Sequence, residues 1–321
     1  MKAFLRNLSR IALISIGVGI LLIVVAYSMN KSVFDKIARD GFNLLNYSSD
    51  WSDWNEDLND DLNSNIENND FISGVALTSP GKSEELESLD INMIAGTLSI
   101  VEGEEFNLQV DGLEQDNIKS EFSNGVWSIE DTLSNSSDNS GIKIFGININ
   151  SESLRNNIGN IRITIPKDFN GKKINLKCGA GSITADKITA DEISVSVGAG
   201  SCSIDELISK EKSEFIVGAG EIIINNLSAV NAKFNCSMGS IYVKGILKGT
   251  NQAVCSMGTI DLDLEGRQED YNYTGKCSMG TVSINNSNYT GVNQNFEKDN
   301  DADNDISINC SVGTVNLKIS D

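Results

Sequence analysis

The sequence predicts an all-β chain: a single-stranded β-solenoid, a right-handed β-helix of about 20-residue coils, preceded by an N-terminal transmembrane helix. Three observations carry that reading. A short phrase returns as CGAGSI (178–183), VGAGSC (197–202), VGAGEI (217–222), CSMGSI (236–241), CSMGTI (255–260), CSMGTV (277–282) and CSVGTV (310–315), at steps of 19, 20, 19, 19, 22 and 33. Apolar and polar residues alternate on both sides of each copy, the period-two pattern of a half-buried strand. Only Pro80 and Pro166 interrupt the backbone, so the repeats can run as unbroken strands. IVGAGEII (216–223) alone resembles a dinucleotide-binding turn, but a fingerprint copied seven times is structural.

In chain order, residues 1–10 carry Lys2, Arg6 and Arg10 and read as a cytoplasmic N-terminus. Residues 11–29 form an apolar run without a charged residue. At about 1.5 Å per residue they match the hydrocarbon thickness, so an uncleaved anchor is expected in the cell membrane. A cleaved signal peptide ending near Ala26-Tyr27-Ser28 is the competing reading. Residues 30–85 read as an acidic juxtamembrane spacer, with no Lys or Arg from Gly41 to Gly81. Within it Trp51, Trp54, Leu58, Leu62 and Ile66 form a thin apolar stripe at helical spacing. A helix capping the open end of the solenoid, a disordered spacer and a partner-binding helix are all compatible with that stripe.

Residues 86–321 are the expected extracytoplasmic solenoid. LDINMIAGTLSI (89–100) matches the later phrase position by position, and FNLQV (106–110), GVWSI (125–129), IKIFGININ (142–150) and IRITI (161–165) are less regular strands. Within a coil, alternation points Phe234, Cys236 and Met238 inward, Gly239-Ser240 outward at a corner, and Ile241 and Val243 inward again. Glycine is expected at the corner for its backbone freedom. Ile188, Leu207, Leu227 and Ile246 are expected to stack as a third inner ladder. Cys178, Cys236, Cys255, Cys277 and Cys310 exchange with Val197 and Val217, and Cys202 with isoleucine or valine. Substitution for aliphatics marks all six as buried, reduced thiols rather than disulfides or metal ligands.

Composition excludes several activities. A formal charge of −20 argues against nucleic acid as a partner. The absence of histidine removes His triads, His bases and His metal sites. No GxxxxGK[ST], HExxH or GxSxG motif occurs, no acid recurs on the outward repeat positions, and neither catalytic residues nor cofactors are expected. The 33-residue final step holds an excursion within Asn285–Asp305, with Tyr289, Phe296 and the run Asp299, Asp301, Asp303 and Asp305. A functional loop that docks another envelope protein or a cell-wall polysaccharide is one reading, and a tolerated polar insertion is the other. DNDADND (299–305) begins like a calcium loop but lacks its glycine, and its twelfth position falls on Cys310. Trp51 and Trp54 are the remaining candidate partner residues.

The phrase series, with IRITIPKDF (161–169) leading into INLKCGAGSI (174–183), resembles a bacterial family of putative adhesins built of β-strand repeats, a domain of otherwise unknown function. The resemblance covers roughly 89–321 and implies a non-enzymatic, membrane-anchored envelope protein of low-GC Gram-positive bacteria. It supplies no catalytic residues. A binding or spacing surface is therefore the expected role. An accessory of an envelope-stress sensor and a polysaccharide-active enzyme on a β-helix scaffold are the alternatives.

Overall fold

Every inward residue of the repeat is satisfied only if the next coil lies directly on it, and that stacking sets the fold. The computed structural model describes residues 86–111, 118–131, 142–144, 147–149, 159–285, 287–290 and 292–320. They belong to one compact unit. The anchor at 11–29, Trp51, Trp54 and the spacer lie outside the described residues, and among those described no helix is long and apolar enough to cross a membrane.

The strands are β1 (Ser88–Gly103), β2 (Asn107–Asp111), β3 (Ile118–Ser123), β4 (Val126–Asp131), β5 (Ile142–Ile144), β6 (Ile147–Ile149) and β7 (Asn160–Pro166). The regular coils follow as β8 (Gly171–Val197), β9 (Ser201–Val217), β10 (Glu221–Val230), β11 (Ala232–Cys236), β12 (Ser240–Lys248), β13 (Thr250–Cys255) and β14 (Thr259–Glu265). The chain ends with β15 (Tyr271–Cys277), β16 (Thr281–Ile284), β17 (Ser287–Thr290), β18 (Gln294–Lys298), β19 (Asn304–Cys310) and β20 (Thr314–Ser320). Eighteen of these form one sheet, and β5 and β6 form a separate hairpin.

Parallel pairing in register stacks like upon like. On one wall Val195 lies over Phe215, which lies over Phe234, Ala253, Ile308 and Gly275 in turn. Large residues are offset by small ones: the stacked rings of Phe215 and Phe234, 5.2 Å apart, are followed by alanine. The facing wall is the column Ile183, Cys202, Ile222, Ile241, Ile260, Val315 and Val282, all buried. Burial of each such side chain contributes roughly 1.5–3 kcal/mol, and β1 matches β8 as the sequence predicts, with Met93 on Cys178 and Gly96 on Gly181.

Three expectations are corrected. Met238 faces solvent (42% exposed), because four residues, Ser237 to Ser240, leave the alternation at the corner rather than two. Ile246 also points outward: the ladder place beside Leu227 falls to Gly245, and Leu247 is buried beside Ala229, because β10 spends two residues, Asn225 and Asn226, where β12 spends only Lys244. The corner glycines mostly do not have positive φ; among them only Gly96 does. Their cause is crowding: a Cβ on Gly258 would stand 2.2 Å from the Gly239 carbonyl oxygen, and one on Gly239 2.0 Å from that of Gly220.

Spatial order departs from chain order at one point. The last coil, β19–β20, is inserted between the coil of β13–β14 and that of β15–β16. The corner column therefore reads Cys236, Cys255, Cys310, Cys277. The long final step exists because the chain must pass the terminal coil, turn beneath it and return. Both ends of the stack finish alike, with antiparallel strands: β2 on β7 and β3 on β4 at one end, β18 on β15 and β17 on β16 at the other. A bare parallel edge templates further pairing, and reversal into short polar strands blunts it.

Candidate functional site

The sequence placed its best candidate in the excursion after Ile284, and the structure gives that segment a structural part. Phe296 is buried and Tyr289 half-buried; their rings stack at 4.4 Å and close the bottom of the core. Gly275 leaves room for this, since a Cβ there would lie 2.3 Å from Phe296 Cζ. These two aromatics are thus occupied by the cap. The opposite end is closed the same way by Phe106, edge-on to Trp127 at 6.0 Å and to Phe169 at 5.1 Å.

The acidic run 299–305 is a turn knitted to the preceding coil. Asn272 Oδ1 accepts from the Asn300 and Ala302 amides, and Asn272 Nδ2 donates to Asp305 Oδ1. Asn300 Nδ2 donates to the Gln268 and Tyr271 carbonyls, and Asn304 Nδ2 to that of Asp270. Asp299 Oδ1 accepts from the Asp301 amide, which lets Asp301 hold φ at 55°. Asp299, Asp303 and Asp305 are exposed, and Asp301 also lies on the outer surface of the turn. Among the described residues no three acidic or thiol side chains gather into a metal cluster.

All six cysteines are free and buried. Their thiols do more than fill space. Cys236, Cys255 and Cys310 each donate to the carbonyl of the glycine three residues on, at 3.0 Å, closing the corner from inside. Burial pushes Cys178 up to about 11 and Cys310 up to about 12. Cys255 is raised by its hydrogen bond with Cys236 and by burial. Such thiols are poor nucleophiles.

Two surfaces stand out, and both arise where the coils change character. The first is a corner ridge. In successive coils the outward corner residue is Met238, Met257, Val312 and Met279, each between 42% and 57% exposed, and Val292 follows in the turn whose Asn293 amide bonds to Ser278 O. Earlier copies have only alanine here. Adjacent coils lie about 4.8 Å apart, so the side chains form one apolar line flanked by serine and threonine.

The second is a step in the outer wall. The extra residue of β10 raises Asn225 above β12, and Gly245, with φ of +141°, sits where a Cβ would meet the Leu227 oxygen at 2.0 Å. Beneath that step opens a hollow of about 330 Å³ across four coils. Ile223, Ile224, Tyr242, Val243 and Leu262 are its apolar lining, and the polar side chains of Asn225, Lys244, Asp261, Asp263, Asn316 and Lys318 its rim. Lys318 Nζ lies 3.1 Å from Asp263, and Asn316 Nδ2 donates to Asp261. The hollow adjoins another that shares Lys244 and Asp263 and continues to Gly266 and Ser320. Sequence reasoning missed both surfaces. The signal for the step was present, since the repeat places Leu247 rather than Ile246 inward only if one residue is lost before it.

The family model for Toastrack DUF4097 matches residues 74–318. The chain belongs to that family. Among solved structures it is similar to a putative cell adhesion protein from Clostridium sporogenes, at 17% identity over 74% of this chain and 93% of that one, with a TM-score of 0.34. It is also similar to a putative adhesin from Bacteroides fragilis, at 12% identity over 75% of this chain and 96% of that one, with a TM-score of 0.36. No curated protein matches it.

Proposed function

We propose that this protein is a non-enzymatic binding surface of the cell envelope. Residues 11–29 hold it in the membrane, residues 1–10 stay in the cytoplasm, and the solenoid stands outside on its acidic spacer. The single observation that carries the binding role is the corner ridge. Met238, Met257, Val312 and Met279 are exposed in four stacked coils, although earlier copies form the same corner with alanine. A contiguous exposed apolar line rimmed by polar residues marks a contact surface, and methionine adapts its shape to a partner at low cost. A non-catalytic role is supported by what the acids do. Asp261, Asp263 and Asp270 are engaged by Asn316, Lys318 and Arg267.

A photo-crosslinking residue placed at Met257 in intact cells is expected to capture a discrete envelope partner, whereas one at Ser196, an outward position in an early coil, captures none. Equal labelling from both positions would remove the ridge from consideration. Protease added to protoplasts should digest the solenoid while leaving the N-terminal residues protected; survival of the whole chain would contradict the topology.

A further inference from the structure

The stepped wall has a chemistry that the corner ridge lacks. Its apolar lining includes the aromatic side chain of Tyr242, with Ile223 beside it in register. Its rim offers donors and acceptors in alternation across the coils. One row runs Ile223, Tyr242, Asp261, Asn316, and the next Lys244, Asp263, Lys318, with Asn225 at the register shift above it. The rim's charges are matched within it: Asp263 is paired with Lys318, Asp261 is bonded to Asn316, and Lys244 stands in register with Asp263. On a chain of net charge −20 this is a locally balanced patch.

We infer that this hollow binds an uncharged oligosaccharide strand, laid along the stacking axis over Tyr242. Several observations select that ligand. Sugar rings present an apolar face that packs on an aromatic ring and an equatorial belt of hydroxyls that both donate and accept, and the hollow supplies both halves. Concave sites with an apolar lining and a few placed polar groups are the usual form of small-ligand sites. Coils repeat at about 4.8 Å, the scale of one sugar residue, so successive rim residues can serve successive rings. An extended peptide fits less well. The backbone groups of β10, β12, β14 and β20 are engaged in ladders with one another, so no edge is free for strand addition. An amphipathic helix or an acyl chain needs a longer apolar strip than Ile223 and Tyr242 provide. A polyanion would meet the net negative charge of the chain with only Lys244 outside an ion pair among the rim lysines.

The inference gives a ligand to the binding role proposed above but uses a different face, so its outcome is independent of crosslinking at Met257. The test is titration of the purified full-length chain with tetrasaccharides of glucose and of N-acetylglucosamine, followed by ligand-observed NMR and calorimetry. At least one is expected to bind, with affinity unchanged between low and high salt, as for an uncharged ligand. Tyr242→Ala should weaken binding about tenfold or more through loss of the stacking ring, and Tyr242→Phe should retain it. Lys244→Ser, at an exposed rim position, should weaken binding without lowering the melting temperature, which covers the case in which the alanine variant folds poorly. The inference is overturned if neither tetrasaccharide binds, if Tyr242→Ala and Lys244→Ser both bind as the parent does, or if only polyglutamate or an extended peptide binds.

Discussion

The early and late coils share one period and one register yet use their corners differently. In the coils opening at Cys178, Val197 and Val217 the corner residue is alanine, buried at Ala180 and half-buried at Ala199 and Ala219, successive coils follow chain order, and the wall at Ile204–Leu207 and Ile224–Leu227 stays in register. In those opening at Cys236, Cys255, Cys310 and Cys277 it is methionine or valine, the wall steps down by one residue, and the last coil is threaded between two others. What both halves keep is the glycine. Inner positions conserve only approximate volume, so Val197 and Cys236 are equivalent, and outer positions are free to acquire chemistry. The glycine column is fixed by contact between backbones, which no outward change relieves.

The largest expected effect tests that common element. Gly200→Ala in an early coil and Gly258→Ala in a late one should destabilise alike, by about 3 kcal/mol or more, because each Cβ meets a backbone oxygen (1.9 Å and 2.2 Å) that cannot swing aside. Chemical denaturation measures both. If Gly258→Ala is tolerated and Gly200→Ala is not, the coils differ in backbone spacing and the shared-column account fails.

Next comes the cap, which only the late end builds from the final excursion. A tolerated polar insertion, one of the two sequence readings of this excursion, would let Asn286–Asp299 be removed with the fold intact, and the structure argues the reverse. That deletion removes Phe296 and Tyr289 from beneath Gly275 and bares the edges of β15 and β16. Loss of a buried phenylalanine costs about 3–5 kcal/mol, so the melting temperature should fall and the variant should aggregate through its open edge. An unchanged melting temperature would restore the excursion to the status of a dispensable loop.

These two cases show where the sequence was legible. Period, the inward columns other than those of Met238 and Ile246, buried thiols and the match of Leu89–Ile100 to later coils could be read, because each depends on alternation within one coil. The interleaving of β19–β20, the antiparallel caps and the one-residue step could not. Each depends on which coil lies above another, and Cys277 and Cys310 carry the same phrase whichever is outermost. Tyr289 and Phe296 illustrate the ambiguity: aromatics in a polar excursion read as a docking loop until their stacking under Gly275 is seen.

A moderate effect distinguishes the cysteine-rich coils by pH. The folded pKa of Cys178 lies above its ordinary 9.0, at about 11, and that of Cys310 at about 12. Above pH 9 the unfolded chain therefore releases these protons before the folded one does. The thiols' contribution is complete below about pH 9 and is lost as pH climbs through the folded values. Stability should hold level with respect to these groups up to that point and then fall. Cys178→Val should soften the alkaline fall while changing neutral stability by less than about 1.5 kcal/mol, as for a volume-conserving replacement. Denaturation midpoints at neutral and alkaline pH measure it, and an unaltered alkaline slope would show that other groups govern that limb.

The smallest expected effect on the fold is the most telling for function. Met257 is 48% exposed at a corner where Ala199 and Ala219 serve the early coils. Met257→Ser should stay within about 0.5 kcal/mol of the parent, as surface substitutions do. The inner half of that corner, Cys255 bonded to the Gly258 carbonyl, is untouched by the change. If the ridge is a contact surface, Met238→Ser with Met257→Ser should nonetheless abolish partner capture from a photo-crosslinker at the neighbouring Val312, which lies in the next coil of the same line. Capture with undiminished yield would mean that the methionines are only corner filling, and that the late coils differ from the early ones in packing alone.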